Sequence, residues 1–250
     1  MNGQTKLAAL SALVGACAAL VPLLAASVFG LLPQRLDGKQ VHDYLLEHPE
    51  VLVEMEVKLQ AQDAEDTARE QRAAMRGIDK ASFFDPRIAF VSGPATAKTS
   101  LVEFFDYNCP YCRASLPAVK KFFDAHKNDT RFSFIEFPIK GPDSIVAARA
   151  SLAARRQPDK FLAFHFALMG EDELVTKDVV FADAAKAGLD IAKLKADMQN
   201  PEIDTAIDIA RKLALKAKID GTPAFVINGH LRSGAVGDDD LKDLVKEKPV

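Results

Sequence analysis

Apolar and polar positions follow three rhythms along this chain. Leu7 to Leu32 is 26 residues without a charge, long enough to span a bilayer. From Val41 the rhythm is helical. Val41, Leu45, Leu52, Met55 and Leu59 recur on 4-7-3-4 spacing, the a and d positions of a short heptad stripe, with His48 in the remaining slot. Asp37 followed by Gln40 predicts a capping box for a first helix. Pro49 suits the first turn of a second helix, and Gly77 its end. After Leu59 the stripe stops, and residues 60–72 are mostly charged, polar or alanine.

The third rhythm mixes short apolar runs with amphipathic stretches. Ile88–Val91, Thr99–Asp106 and the run containing Phe132, Phe134 and Phe137 read as strands. A helix from Cys109 lies between the last two and contains Pro117, which should kink it. Helical segments follow at Ser144–Arg156, Pro158–Met169, Lys177–Ala187, Ile191–Met198 and Pro201–Ile219. Ala224–Asn228, an Asn228-Gly229 turn and His230–Ser233 form a hairpin, and Asp238–Glu247 closes the chain as a helix.

Strand Thr99–Asp106 delivers Cys109-Pro110-Tyr111-Cys112 to the first turn of a helix. Free N–H groups and the positive dipole end at a helix start stabilise an anion, here the Cys109 thiolate. That position makes Cys109 the nucleophile, on the exposed side of the turn. Cys112 lies one turn on, within reach for a disulfide ring. Pro110 falls where its missing N–H is harmless, and Pro110 and Tyr111 tune the thiolate. Zinc is the competing use of such a pair, but it normally takes four ligands. The remaining cysteine is Cys17, and the five histidines show no zinc-ligand spacing. An isolated structural disulfide is a further alternative.

The segment Val102-Glu103-Phe104-Phe105 followed by Cys109-Pro110-Tyr111-Cys112 resembles the active site of the DsbA-like branch of the thioredoxin superfamily. Downstream, Gly221-Thr222-Pro223-Ala224-Phe225-Val226 is similar to that superfamily's cis-proline loop and following strand. The stretch from Val41 to Leu52 resembles the N-terminal segment of ScsC-like (suppressor of copper sensitivity) members.

The resemblance implies an α/β thioredoxin-like fold with an inserted helical subdomain at about 142–198. The domain order would be an anchor or signal at 1–36, a helical arm at 37–80 and a catalytic domain at 81–250. It implies that Thr222-Pro223 faces the dithiol, Thr222 pairing with an extended substrate and Pro223 shaping that edge. It also implies a disulfide between Cys109 and Cys112, with Cys112 resolving mixed disulfides. A glutamate at position 103 would lie under the site and relay a proton to Cys112; read from the strand alone, it is an outward-facing charge. Phe161, Leu162, Phe164, Phe166 and Leu168 read as core of the insert, with a substrate groove as the alternative.

Three fates fit the N-terminus. These are an uncleaved anchor, a signal cleaved near Ala25-Ala26-Ser27, and a lipid on Cys17. All three send the rest across a membrane, to the periplasm or cell envelope, where disulfides persist. A net charge of -3 without a basic stripe excludes nucleic acid as an expected partner. The expected activity is protein-disulfide oxidoreductase or isomerase, acting on protein thiols and disulfides with a membrane redox partner and no cofactor or bound metal. Two other classes stay open, a Cu(I)-holding module using the same thiolates and an anchored adaptor. The arm stripe packs either on its own catalytic domain or on copies of itself. Trimeric isomerases in the resembled family make a homotrimer the expectation.

Overall fold

A computed structural model describes residues 37–246. The expectations for 1–36, including the apolar span and Cys17, lie outside the described residues. Among the described residues no helix is long and apolar enough to cross a membrane. The chain forms two compact units that divide between Asp63 and Ala64.

The first unit contains α1 (Gly38–Glu47) and the first half of α2 (Glu50–Arg76). The capping box forms: Gln40 N–H donates to Asp37 Oδ1 at 2.8 Å, and Asp37 N–H to Gln40 Oε1 at 3.1 Å. No residue of either helix is buried. Val41, Leu52, Met55 and Leu59 are exposed and Leu45 is half-buried, so most of the stripe is left uncovered.

The second unit is built on a five-stranded sheet of order β1-β3-β2-β4-β5. Its strands are β1 (Ala89–Ser92), β2 (Thr99–Phe105), β3 (Thr130–Glu136), β4 (Ala224–Ile227) and β5 (His230–Ser233). A short 3-10 turn, Lys80–Phe84, precedes β1. β2 and β3 are parallel and joined through α3 (Pro110–His126), a strand–helix–strand crossover. β4 runs antiparallel to β2, with Leu101 opposite Ile227. Asn228 and Gly229 both take positive φ, 52° and 95°, which closes the tight β4–β5 hairpin. α3 runs through Pro117 without ending.

Between β3 and β4 lie α4 (Pro142–Ala154), α5 (Pro158–Met169), α6 (Lys177–Lys186), α7 (Ile191–Asp197) and α8 (Glu202–Lys216). α9 (Asp238–Lys246) follows the hairpin. Phe123 of α3 meets Phe132 at 4.8 Å between ring centroids and Phe166 of α5 at 5.6 Å. Phe161, Phe164 and Leu168 are fully buried, and Leu162 and Phe166 pack against the same core. Their burial supports the reading of these residues as core. Edge-on aromatic contacts of this kind add about 0.5–1.5 kcal/mol each beyond the area they bury.

Candidate active site

The turn between β2 and α3 is held by two polar side chains. Asp106 Oδ1 accepts from Asn108 N–H at 2.8 Å, and its Oδ2 accepts from Ile139 and Lys140 N–H at 2.7 and 2.9 Å. Asn108 Oδ1 accepts from Val175 N–H at 2.7 Å, and its amide donates to Val175 O at 3.3 Å. One side chain ties the turn to the loop after β3, the other to the loop before α6. Sequence reasoning missed both. The signal was there: three polar positions, Asp106-Tyr107-Asn108, between an apolar strand and a cysteine pair.

Cys109 is the N-cap of α3, with extended φ and ψ of -90° and 116°, and Pro110 takes the first helical position. Cys112 N–H donates to Cys109 O at 3.1 Å. Both cysteines are free thiols. Tyr111 is 64% exposed, whereas Cys109 is 0% exposed. The expectation of an exposed Cys109 is therefore corrected. The Thr222–Pro223 loop lies over the sulfur, and Cys109 Sγ donates to Thr222 O at 3.0 Å. The Thr222–Pro223 peptide bond is cis. Thr222 Oγ1 is buried and has no hydrogen-bond partner.

The two thiols are driven apart. A hydrogen bond from the Cys112 thiol, with help from Thr222 and the backbone N–H groups of Cys112 and Tyr111, pulls Cys109 down to about 5 against its burial. Burial pushes Cys112 far up, and its thiol hydrogen bond to Cys109 and the nearby Glu103 carboxylate add to this. A depressed thiol ionises at neutral pH, attacks disulfides and leaves readily.

Glu103 is 3% exposed, and burial raises its carboxyl to about 8. The outward-facing reading fails because β2 is a central strand, flanked by β3 and β4 and covered on both faces. Among the described residues no three His, Cys, Asp or Glu side chains gather as a metal site.

Residues 88–247 match the thioredoxin family, and residues 38–65 match the N-terminal domain of copper resistance protein ScsC. The first match covers more than half of the chain. The chain belongs to the thioredoxin family. Within it, the chain is a thiol–disulfide oxidoreductase of the DsbA and ScsC type. A periplasmic thioredoxin-like protein of Salmonella enterica serovar Typhimurium is 34% identical, with a TM-score of 0.61 over 68% of this chain and 97% of that one. A linker-deleted ScsC of Proteus mirabilis is 27% identical, with a TM-score of 0.65 over 87% and 98%. Disulfide bond formation protein D of Bacillus subtilis is 29% identical over 63% of this chain and 76% of its own length. The chain also matches an Na(+)/H(+) antiporter NhaA of Herminiimonas arsenicoxydans at 27% identity over 60% of this chain and 24% of that protein.

Proposed function

We propose that this chain is a cell-envelope enzyme that breaks and re-forms disulfides in folding proteins, working as an isomerase. The carrying observation is the asymmetry of the dithiol, with Cys109 lowered to about 5 and Cys112 raised. In this reading Cys109 attacks a substrate disulfide, its sulfur joins one substrate sulfur, and the other leaves as a thiolate. Another substrate thiolate then attacks the substrate sulfur of the mixed disulfide, forming a new substrate disulfide and expelling the Cys109 thiolate; where none does, Cys112 attacks Cys109, closing the Cys109–Cys112 bond and releasing the substrate as a thiolate. Thr222 and Pro223 present the edge on which an extended substrate lies. Glu103 exchanges a proton with Cys112, and Pro110 and Tyr111 tune the thiolate.

A low Cys109 pKa stabilises the reduced form and makes the Cys109–Cys112 disulfide more oxidising, so isomerase work needs the pair kept reduced. A membrane redox partner would keep it reduced. The arm at 37–80 joins catalytic domains of 81–250, with their helical insert at 142–198, into a homotrimer. Several sites then face one substrate. Residues 1–36 anchor the enzyme at the membrane or direct its export.

The test is a set of single variants assayed by insulin reduction and by refolding of a scrambled-disulfide protein. Cys109→Ser should abolish both. Cys112→Ser should accumulate mixed disulfides and keep Cys109 acidic, because the hydroxyl still donates. Cys112→Ala should trap likewise but raise Cys109 by about 1–2 units, from about 1.5–3 kcal/mol for a hydrogen bond to a charged group. Retained turnover in Cys109→Ser would overturn the assignment.

The ScsC match at residues 38–65 carries the description of a copper resistance protein and favours one second reading, Cu(I) held by the same two thiolates. Competition for Cu(I) against a colorimetric chelator tests it. Equal copper retention by the Cys109→Ser,Cys112→Ser protein would remove it.

A further inference from the structure

The turn that carries the dithiol also holds two neighbouring loops in place. Asp106 Oδ2 accepts from Ile139 N–H at 2.7 Å. Asn108 grips the Val175 backbone twice, its Oδ1 accepting from the N–H at 2.7 Å and its amide donating to the carbonyl at 3.3 Å. Arg113, one residue after Cys112, reaches back across the same turn. Its Nη2 donates to Tyr107 O at 3.1 Å and to Asn108 Oδ1 at 3.4 Å, and its Nη1 donates to Asp172 O at 3.2 Å.

The loop between α5 and α6 is thereby fixed at Asp172 and at Val175. Val175 is fully buried, and Thr176 N–H donates to Leu174 O at 2.9 Å. Leu174 sits between these anchors, yet it is 54% exposed. Chain dimensions and the 2.7 Å bond from Asn108 to Val175 leave the Leu174 Cα at most about 13 Å from the Cys109 Cα.

Single exposed apolar side chains are ordinary on a protein surface. Their distribution here is uneven. Among the described residues of the second unit, the exposed large apolar side chains are Tyr111, Ile139, Ile145, Leu174 and Leu215. Three of them belong to the dithiol turn or to backbone bonded to it. Tyr111 lies between the cysteines, Ile139 is bonded to Asp106, and Leu174 precedes the residue that Asn108 grips. Arg113 is likewise more than a solvated helix charge. Its guanidinium is spent on two main-chain carbonyls and one side-chain amide, and its Nε is buried without a partner. Bonds to two separate segments fix the spacing between them.

We propose that Leu174 is a specificity residue for thiol exchange, touching the substrate chain two to three positions from its reacting cysteine and favouring an apolar side chain there. Asn108 and Arg113 are the positioning residues that hold it. The proposal rests on the attack of Cys109 on substrate disulfides described above. In that attack Cys109 sulfur bonds one substrate sulfur and the other leaves as a thiolate; Leu174 makes and breaks no bond. An extended chain advances about 3.3 Å per residue, so a residue two or three positions away reaches Leu174 while the cysteine stays on Cys109. The contact is the same before and during exchange, so its loss belongs in KM.

The experiment gives full-length protein two disulfide-linked peptides, with glutathione to re-reduce the enzyme. The peptides are identical except that the positions two and three residues to either side of the cysteine carry Leu in one and Ser in the other. The readout is the ratio of their kcat/KM values. Native protein should favour the Leu peptide about fivefold, below the roughly tenfold of an enclosed apolar pocket, because the site is open on one side. Leu174→Ser should bring the ratio close to one through KM, and Leu174→Met should keep it. Arg113→Met should lower it as well, since the loop loses its anchor at Asp172. A variant that only folds less well slows both peptides together and leaves the ratio in place. A native ratio of one, or a ratio kept in Leu174→Ser, would overturn the proposal. A ratio kept in Arg113→Met alone would overturn that residue's positioning role. Native protein that reacts with neither peptide would instead overturn the attack of Cys109 beneath it.

Discussion

Cys109 Sγ and the backbone carbonyl of Thr222 meet at 3.0 Å across 113 residues of chain. The contact suits only the thiol, since a thiolate has no proton to donate to a carbonyl. The Thr222 hydroxyl is buried beside it without a partner, so it is placed to donate once the proton has gone. One residue thus holds both protonation states of the nucleophile.

Thr222→Val should therefore raise Cys109 from about 5. The expected rise is about 1–2 units, since a hydrogen bond to a charged group contributes about 1.5–3 kcal/mol. The carbonyl contact is unchanged, so folding should hold. Ultraviolet thiolate absorbance against pH measures it, with rapid alkylation as a second reading. An unchanged midpoint would mean that the Cys112 thiol and the helix N–H groups stabilise the anion without Thr222.

Much of the fold was legible because its signals are local. The apolar runs, the Asn228-Gly229 turn and the Asp37–Gln40 cap each depend on neighbours in sequence, and the order of elements then leaves few topologies. The dithiol's place at a helix start was legible for the same reason. Its cover was not, because the loop that hides Cys109 arrives from Thr222 and Pro223. Glu103 was ambiguous, since a charge on an apolar strand reads alike at an edge and in a covered centre. Glu136, His165 and Ser151 gave no signal: they are polar residues of β3, α5 and α4 that the fold buries, and such burial leaves no periodicity in the sequence. Asp106 and Asn108 were visible as polar residues, but their partners at Ile139 and Val175 were not.

Stability should fall with rising pH more steeply in the disulfide form than in the reduced form. Glu103 is raised in the folded protein to about 8 by burial. Its contribution is fully present below the unfolded value near 4.5 and is lost as pH rises through about 8. Cys109 is lowered to about 5. Its contribution is present above the unfolded value near 9 and lost as pH falls through about 5. The reduced protein carries both trends, and they oppose each other between about 5 and 8. In the disulfide form Cys109 does not titrate, and the Glu103 trend remains, reinforced by the raised Glu136 carboxyl and opposed below about 6.5 by the buried His165 ring, which burial lowers to about 3. Oxidised protein should thus lose on the order of 4 kcal/mol across this window, and reduced protein much less. Urea unfolding of both forms at several pH values measures it. Glu103→Gln should flatten the oxidised curve; a curve as steep as the native one would assign the trend to another group.

The last prediction concerns the uncovered stripe of the arm. Leu52, Met55 and Leu59 are 56%, 59% and 57% exposed, on the face that a heptad pattern would turn toward a partner helix. Val41 of α1 is exposed as well. Burying each such side chain contributes about 1.5–3 kcal/mol, so a few per chain can hold a trimer that a single chain cannot replace by packing. The second half of α2 belongs to the other unit. Gln71 donates to Lys218 O at 3.3 Å, Glu70 pairs with Lys218, and Met75 packs on the core. A deletion should therefore stop at Asp63. Removing residues 37–63, or changing Leu52, Met55 and Leu59 together to glutamate, should give a folded monomer by light scattering. That monomer should reduce insulin at close to the native rate, since the dithiol is untouched. It should lose most scrambled-substrate refolding, because a single site no longer holds a substrate beside another. Equal mass for native and variant proteins would remove the trimer. Equal refolding rates, with the mass changed, would show that isomerisation needs only one site.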